Sequence, residues 1–255
     1  MSAPDAAPGG AAPPLLRMRG IRKTFGPVVA LKDVDFTVGP REVHGLLGGN
    51  GAGKTTLMNV FSGFVRAAEG RVVCNGQDLL PLAPHRRARW GLRRSFQKEE
   101  IANDLTVFDN VLVQTDTGFA GLTGGAARRA EVARLLDLVG LAPRAGTFGR
   151  DLSGFERRLA DVAKCLAANP QVIMFDEPAG GMSVEETRRL GTLIKAIHAE
   201  TGAQTLVIDH DVELISDVCD EVLVLDFGRR IAFGPTAEVL ADPAVKAAYL
   251  GTEEV

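Results

Sequence analysis

The residues best suited to chemistry in this chain form a glycine-rich run at residues 48–56, GGNGAGKTT, with the spacing G-x-x-x-x-G-K-[ST]. A mostly apolar stretch at 43–47 precedes the run and predicts a buried strand, and residues 57–61 after it predict a helix. Glycines let backbone N–H groups converge on one point, and a helix N-terminus adds the positive end of its dipole. A strand, a glycine loop and a helix in this order predict a cradle for the phosphates of a nucleoside triphosphate.

The loop offers several groups to a nucleotide. We expect Lys54 to reach the β- and γ-phosphates and the Thr55 hydroxyl to hold Mg²⁺. The full set of expected nucleotide contacts within the loop is Gly48, Asn50, Gly51, Ala52, Gly53, Lys54, Thr55 and Thr56. The alternative is a glycine-rich turn that precedes a lysine by chance, and the agreement of the flanking segments disfavours it. The loop alone does not say what the energy of the nucleotide is used for.

Two further apolar segments end in polar side chains. The run 172–175 is followed by Asp176 and Glu177, and the run 205–208 is followed two positions later by His210. Short apolar runs are typical of central parallel strands, whose carboxyl ends meet at one edge of the sheet. There Asp176 could complete a Mg²⁺ site, and Glu177 could polarise a water for attack on the γ-phosphate. The alternatives are a helix N-cap for the two acids and a structural role for the histidine.

The bulk composition is that of an ordinary globular protein. The 255 residues suffice for one sizeable core, or for a domain with a subdomain, and 45% of them are hydrophobic. A net charge of −3 argues against nucleic-acid binding through a general basic surface. The three cysteines lack metal spacing and predict reduced thiols, and no apolar run approaches the ~20 residues needed to cross a bilayer. Residues 1–14, rich in Ala, Pro and Gly, predict a disordered tail rather than a signal peptide.

The remaining segments predict an α/β protein. Strands are expected at 15–25, 34–38, 43–47, 70–74, 172–175, 205–208, 222–225 and 230–233, and helices at 107–113, 126–139, 184–200 and 212–218. A further helix is expected to begin at Ser153, which forms a capping box with Glu156. Residues 79–149 predict a mostly helical insert. Its arginine cluster favours a solvated helix face over a binding patch, and consists of Arg86, Arg87, Arg89, Arg93 and Arg94.

The order of these segments resembles the nucleotide-binding subunit of ATP-binding cassette (ABC) transporters over residues 15–251. The glycine loop is similar to the Walker A motif of that family, and 172–176 is similar to Walker B, with Glu177 at the catalytic-base position. The other matches are Gln97 at the Q-loop glutamine, 152–156 (LSGFE) at the signature, 179–183 at the D-loop, His210 at the switch histidine and Phe25 at the aromatic that stacks on adenine. The alternative for Phe25 is a core side chain.

The resemblance implies a P-loop NTPase cassette at 15–255, with a RecA-like core, an antiparallel β subdomain, a helical subdomain at about 98–165 and C-terminal helices at about 235–251. It implies ATP and Mg²⁺ as cofactors. The implied catalytic residues are Glu177, His210 and Gln97, and the implied Mg²⁺ ligands are Thr55, Gln97 and Asp176. Paired cassettes sandwich ATP between them, so Ser153, Gly154 and Glu156 would close over the partner's ATP. The implied partners are a second cassette, transmembrane permease subunits and, indirectly, an external solute-binding protein, with no nucleic acid. The implied location of the chain is the cytoplasmic face of the inner (plasma) membrane, where it would bind peripherally through the membrane subunits.

Within the family, the stretches 56–64, 94–107, 176–182 and 242–251 resemble the ATPases of the branched-chain amino-acid uptake group. Relatives in the group import urea, amides or aromatic acids. The implied function is therefore ATP hydrolysis that drives import of branched-chain amino acids or of a related small polar or organic-acid solute. The alternatives are a non-transport ABC ATPase, disfavoured by the single compact cassette, and a nucleotide-binding regulator without turnover, disfavoured by Glu177.

The signature departs from the family pattern, which prefers Gly and Gln where this chain has Phe155 and Glu156. Phe155 adds bulk where the backbone should approach ATP closely. Glu156 brings negative charge towards a polyanion, although the capping box could hold it back against Ser153. We therefore expect an asymmetric pair, a heterodimer rather than a homodimer, in which the ATP closed by this signature turns over more slowly. Gly49, where the family usually has Pro, is a lesser departure that a glycine loop should tolerate.

Overall fold

The computed structural model describes residues 16–39, 42–115, 125–167 and 169–250. The strands in these ranges are β1 (Leu16–Phe25), β2 (Val28–Val38), β3 (Val43–Leu47), β4 (Glu69–Cys74), β5 (Gln77–Asp78), β6 (Leu92–Arg94), β7 (Val172–Asp176), β8 (Gln204–Ile208), β9 (Glu221–Asp226) and β10 (Arg229–Pro235). The helices are α1 (Lys54–Ser62), α2 (Pro84–Trp90), α3 (Val107–Leu112), α4 (Gly125–Leu138), α5 (Gly154–Leu166), α6 (Val184–Thr201), α7 (Val212–Val218), α8 (Thr236–Ala241) and α9 (Pro243–Val245). The tail expected at 1–14 lies outside the described residues.

A six-stranded sheet in the order β10-β9-β3-β8-β7-β6 forms the centre of the molecule. Its strands from β9 to β6 are parallel, and β10 is antiparallel to β9. Successive side chains on a strand point to opposite faces, so Leu47 and Phe175 enter one hydrophobic core while their neighbours Leu46 and Met174 enter a second. Because both faces are covered, β3, β7 and β8 are buried along their whole length.

A second, antiparallel sheet with the order β2-β1-β4-β5 packs its apolar face against α1. The sequence predicted only the second half of β2, whereas the strand begins at Val28, directly after the turn that follows Phe25. The first half is irregular: Asp33 has φ +60°, and the pairing with β1 shifts register along the strand. Such shifts break the period-two alternation by which a half-buried strand is read from a sequence.

Helices α3, α4 and α5 pack together on one face of the parallel sheet, and share the core that contains Leu47 and Phe175. Helix α5 begins where the sequence placed it. The Ser153 hydroxyl accepts a hydrogen bond from the Glu156 N–H, and the Glu156 carboxylate accepts one from the Ser153 N–H, which confirms the capping box. This cap fixes the direction in which α5 leaves the signature.

The arginine cluster is only in part a solvated helix face, and that prediction was wrong for Arg87 and Arg94. The Arg87 guanidinium is buried and donates to the backbone oxygens of Val60 and Phe61, at the C-terminal end of α1. A cation at this end of a helix satisfies carbonyls that lack intrahelical partners. Arg94 ends β6, a three-residue strand that the sequence did not predict because so short a segment shows no periodicity. Arg86 and Arg89 are exposed, as expected.

The cysteines and the lengths of the helices complete the description of the fold. The three cysteines are free and buried, and burial raises the pKa of the Cys74 thiol to about 12, which keeps it protonated and inert. Among the helices of the described residues, no long apolar one that could span a bilayer is found.

Candidate nucleotide and catalytic site

The glycine loop joins the end of β3 to the start of α1 and depends on glycine at two positions. A Cβ at Gly48 would lie 2.4 Å from the backbone oxygen of Leu225 and 2.9 Å from the Ala52 Cβ. Gly53 has φ +104°, and a Cβ there would lie 2.8 Å from the backbone oxygen of Ala30. The loop therefore sits so tightly on β2 and β9 that side chains at these positions do not fit.

Lys54, the first residue of α1, folds back over the loop. Its Nζ donates to the backbone oxygens of Gly48 and, at 3.1 Å, Gly49. Burial lowers the pKa of Lys54, while the nearby carboxylates of Glu177 and Asp209 act in the opposite direction. A buried ammonium at the mouth of a loop of N–H groups is suited to binding phosphate oxygens.

A cavity of about 320 Å³ opens above the loop. The glycine loop contributes 49–56, and the β1–β2 hairpin contributes Val28, Val29, Ala30 and Lys32. Glu177 and Phe227 complete the lining. The cavity thus joins the phosphate loop to one of the two acids that the sequence placed at the end of β7.

Asp176 and Glu177 occupy different surroundings although they are adjacent. Asp176 ends β7 and its buried carboxylate Oδ2 lies 2.6 Å from Nη2 of Arg94. Glu177 is half-buried, with φ +46°, and its N–H donates to the Ile208 oxygen at 2.7 Å. Gln97 donates from Nε2 to the Glu177 carboxylate. A left-handed conformation in a residue with a side chain costs energy and is common at functional sites, where the surrounding structure holds it in place.

The end of β8 holds an acid whose role the sequence did not reveal. Asp209 is fully buried and accepts hydrogen bonds from the backbone N–H groups of Ala179 (3.2 Å), His210 (2.7 Å) and Asp211 (3.1 Å). Burial raises the pKa of Asp209, and these three bonds oppose that rise. Asp209 therefore connects Ala179, at the D-loop position, to His210, at the switch-histidine position, through hydrogen bonds to both backbones. Its place directly after a buried strand was the one available signal.

His210 itself points outward, with 65% of its side chain exposed, and its Nδ1 lies 3.4 Å from the Asp209 carboxylate. Phe25 is also exposed, at 48%, so the alternative of a core side chain is wrong. The Lys23 ammonium lies 4.8 Å from the centre of the Phe25 ring. The residues of the β1–β2 hairpin that line the cavity lie on β2, whereas Phe25 is the last residue of β1. Stacking of Phe25 on adenine therefore stays a prediction.

The signature lies apart from the cavity of its own chain. Ser153 and Gly154 are exposed at the start of α5. Glu156 is held by the capping box and by an ion pair, 2.9 Å from the Arg144 Nε, and the hydrogen bond from the Ser153 backbone is the main cause that lowers its pKa. Phe155 packs against the core, with the Arg189 guanidinium 5.0 Å from its ring centre. The bulk of Phe155 and the charge of Glu156 are thus both engaged within the chain.

The residues present suit a magnesium–nucleotide complex. Mg²⁺ prefers oxygen ligands, and the expected set of Thr55 hydroxyl, Asp176 carboxylate and Gln97 amide supplies only oxygens. Thr55 lines the cavity. Gln97 donates a hydrogen bond to Glu177, and Glu177 lines the cavity as well.

Comparison with known proteins agrees with this geometry. Residues 31–180 match the family described as ABC transporter, and residues 229–255 match the one described as branched-chain amino acid ATP-binding cassette transporter. The chain is 33% identical over 250 residues to the high-affinity branched-chain amino acid transport ATP-binding protein LivG of Escherichia coli strain K12, covering 93% of this chain and 98% of LivG. It is 35% identical over 235 residues to the methionine import ATP-binding protein MetN 1 of Rhodococcus jostii strain RHA1, covering 90% of this chain and 69% of MetN 1.

Among solved structures, the ADP conformation of MJ1267, an ATP-binding cassette of an ABC transporter, superposes with a TM-score of 0.83 at 28% identity, covering 94% of this chain and all of MJ1267. The expected fold, a P-loop cassette with a RecA-like core, an antiparallel sheet and a helical part, is therefore confirmed. The chain belongs to the ABC transporter family, as an ATP-binding subunit that hydrolyses ATP to drive transport.

Proposed function

We propose that this chain is the motor subunit of an importer for branched-chain amino acids or a related small polar or organic-acid solute. The observation that supports it best is that Glu177 lines the same cavity as Lys54 and Thr55 and accepts a hydrogen bond from Gln97. The choice of solute class rests on the match of residues 229–255 and on the likeness to LivG. The likeness to MetN 1 keeps methionine among the candidates.

Each residue of the site has a distinct part in hydrolysis. The backbone N–H groups of residues 50–56 and the Lys54 ammonium bind the β- and γ-phosphates and fix the position of these phosphates in the cavity. Thr55, Asp176 and Gln97 would hold Mg²⁺, which when bound would neutralise charge on the phosphate oxygens. Glu177 accepts a proton from the attacking water, and His210 contacts the γ-phosphate. Phe25 stacks on the adenine.

Cassettes of this family work in pairs on membrane permease subunits. In the proposed pair, Ser153 and Gly154 approach the γ-phosphate of the ATP held by the second cassette, at the N-terminal end of α5. Glu156 places a carboxylate at that same helix end and partly cancels its positive field. A heterodimer is favoured, because a partner with an unaltered signature would let the ATP in this chain turn over normally.

A groove of about 250 Å³ suits the permease contact. It lies between the parallel sheet and the helical part, and its lining includes Phe64, Phe96, Gln114, Asp161 and Lys164. Phe96 directly precedes Gln97, so a segment seated in the groove would act on the Gln97–Glu177 contact. The proposed location is peripheral, at the cytoplasmic face of the inner membrane.

The test is uptake by proteoliposomes that contain this chain, its companion cassette and the permease subunits encoded beside it, with the solute-binding protein outside. Radiolabelled leucine should accumulate with ATP inside the vesicles and should not accumulate when Glu177→Gln replaces the unaltered chain. Competition by methionine, urea or benzoate narrows the solute. If none of these solutes is taken up or accelerates ATP hydrolysis, the proposed solute class is wrong.

A further inference from the structure

We propose that Arg94 is a positioning residue for the Mg²⁺–nucleotide site. It fixes the Asp176 carboxylate in the orientation that binds the cation, and it ties that carboxylate to the helix of the phosphate loop. The proposal rests on the proposed function only in requiring that Mg²⁺ and nucleotide bind together at this site.

Backbone pairing brings Arg94 to the end of β7. Strand β6 runs parallel to β7 with Arg94 opposite Met174, and the Ser95 N–H donates to the Met174 oxygen at 2.9 Å. The Ser95 hydroxyl in turn accepts from the Asp176 N–H at 3.3 Å. The register of the two strands therefore fixes the distance between the Arg94 and Asp176 backbones, and their side chains meet.

The contact between the side chains is buried. Nη2 of Arg94 lies 2.6 Å from Oδ2 of Asp176, and the two side chains are 5% and 9% exposed. This bond occupies one carboxylate oxygen and leaves the other, Oδ1, for a cation. Since a buried carboxylate without a partner is strongly destabilised, Asp176 would turn or become more hydrated if Arg94 were removed.

The same guanidinium also binds α1. Its Nη1 donates to the Asn59 Oδ1 at 2.8 Å and to the Ser62 hydroxyl at 3.1 Å. Helix α1 begins at Lys54 and carries Thr55 in its first turn, so Arg94 connects the two elements that supply the expected Mg²⁺ ligands. The planar, forked guanidinium can serve both partners at once, whereas a lysine ammonium at this place cannot span both.

Positioning and simple charge have opposite consequences, which makes the role testable. As a positive charge alone, Arg94 would repel a nearby Mg²⁺, and its removal would strengthen Mg²⁺ binding. As a positioning residue it holds a ligand in place, and its removal would weaken binding. Loss of a group that orients a metal ligand typically costs about 10- to 100-fold in metal affinity.

The experiment measures the affinity of the purified full chain for a fluorescent ADP analogue, MANT-ADP, over a Mg²⁺ titration and in EDTA. Arg94→Gln should leave the affinity in EDTA within about two-fold and raise the Mg²⁺ concentration at half-saturation by at least about ten-fold. Arg94→Lys should recover part of that loss. The matched control is Arg89→Gln, on the exposed side of α2, which should behave as the unaltered chain.

An unchanged or lower Mg²⁺ requirement in a folded Arg94→Gln chain overturns the proposal, and so does an equal loss of affinity in EDTA. If Arg94→Gln does not fold, Asn59→Ala is the deciding variant, because it removes the hydrogen bond from Arg94 to Asn59 on α1 and keeps the pair with Asp176. A raised Mg²⁺ requirement in Asn59→Ala supports the proposal, and an unchanged one overturns it. If the unaltered chain shows no Mg²⁺-dependent binding, the proposed function falls too, so the two failures are distinguishable.

Discussion

Gln97 donates a hydrogen bond from its side-chain amide to the carboxylate of Glu177, although the two residues are 80 positions apart in the chain. One follows β6 and the other follows β7, and these strands are parallel neighbours. The contact joins Gln97, on which a permease segment seated in the proposed groove would act, to Glu177, the residue expected to activate water. Any movement of the segment after β6 therefore reaches the proposed catalytic base through one bond.

The adjacent glycines Gly48 and Gly49 predict different responses to alanine: a loss of stability at the first and no change at the second. Gly48→Ala places a Cβ 2.4 Å from the Leu225 oxygen, so the loop must shift. We expect a loss of about 1–3 kcal/mol in the free energy of unfolding and a weaker affinity for nucleotide. Urea unfolding and MANT-ADP binding measure the two effects.

Gly49→Ala is the matched control, because beyond its two chain neighbours no residue lies within 4 Å of the position that a Cβ at Gly49 would take. Its unfolding free energy should stay within about 0.5 kcal/mol of the unaltered chain. Equal losses of unfolding free energy in the two variants would show that the backbone around Gly48 is not packed as closely against Leu225 as the structure indicates.

The local features of the fold could be predicted from the sequence. Strand β7 is apolar from Val172 to Phe175 and β3 is mostly apolar, because both faces of their sheet are buried, and this leaves a clear pattern. The capping box of α5 is a contact three residues apart, and the glycine loop is a contiguous motif. In each case the signal and the structure lie within one short segment.

What escaped prediction depends on contacts between distant segments. The sequence does not reveal that Arg94 meets Asp176, 82 positions away, or that Arg87 caps α1. Both arginines lie in a charge-rich stretch that is typical of an exposed helix. Asp209 shows the same limit in part, because its donors His210 and Asp211 follow it directly, whereas its donor Ala179 lies 30 positions away at the D-loop position.

The altered signature predicts a gain on reversion. In a heterodimer, the double change Phe155→Gly/Glu156→Gln should raise ATP hydrolysis several-fold. The change removes a carboxylate from the N-terminal end of α5, which would face the partner's ATP. Glutamine at residue 156 still accepts the hydrogen bond from the Ser153 N–H, so the capping box is kept. The measurement is phosphate release by the assembled pair at saturating ATP.

Glu186→Gln on α6 is the control, since Ser183 and Glu186 form the same capping box as Ser153 and Glu156. It should alter the cap of α6 as Glu156→Gln alters the cap of α5, without the added loss of the Arg144 ion pair, and leave hydrolysis unchanged. A pair whose rate is unaltered by the double change would contradict the asymmetric arrangement.

Asp161 predicts a specific dependence of stability on pH. Burial raises its pKa from 3.8 to about 6 in the folded chain. Below pH 3.8 both states are protonated. As the pH rises from 3.8 to about 6, the unfolded chain releases this proton while the folded chain keeps it, so stability falls by up to about 3 kcal/mol and then levels off.

Asp161→Asn removes this titration, and the variant should be more stable than the unaltered chain above pH 6. Urea unfolding at pH 5 and pH 7.5 gives the comparison, with the exposed Asp137→Asn on α4 as the control. A variant that is less stable than the unaltered chain at pH 7.5 would mean that the ion pair with Lys164 outweighs the burial.

The most direct measurement is ATP hydrolysis by this chain, first alone and then with its companion cassette and permease subunits, beside a Glu177→Gln chain. We predict negligible turnover alone, turnover that appears with the partners, and a fall of at least about 100-fold in Glu177→Gln with nucleotide binding retained. Rapid turnover by the lone chain would contradict the asymmetric pair. Undiminished hydrolysis in Glu177→Gln would contradict the proposed site itself.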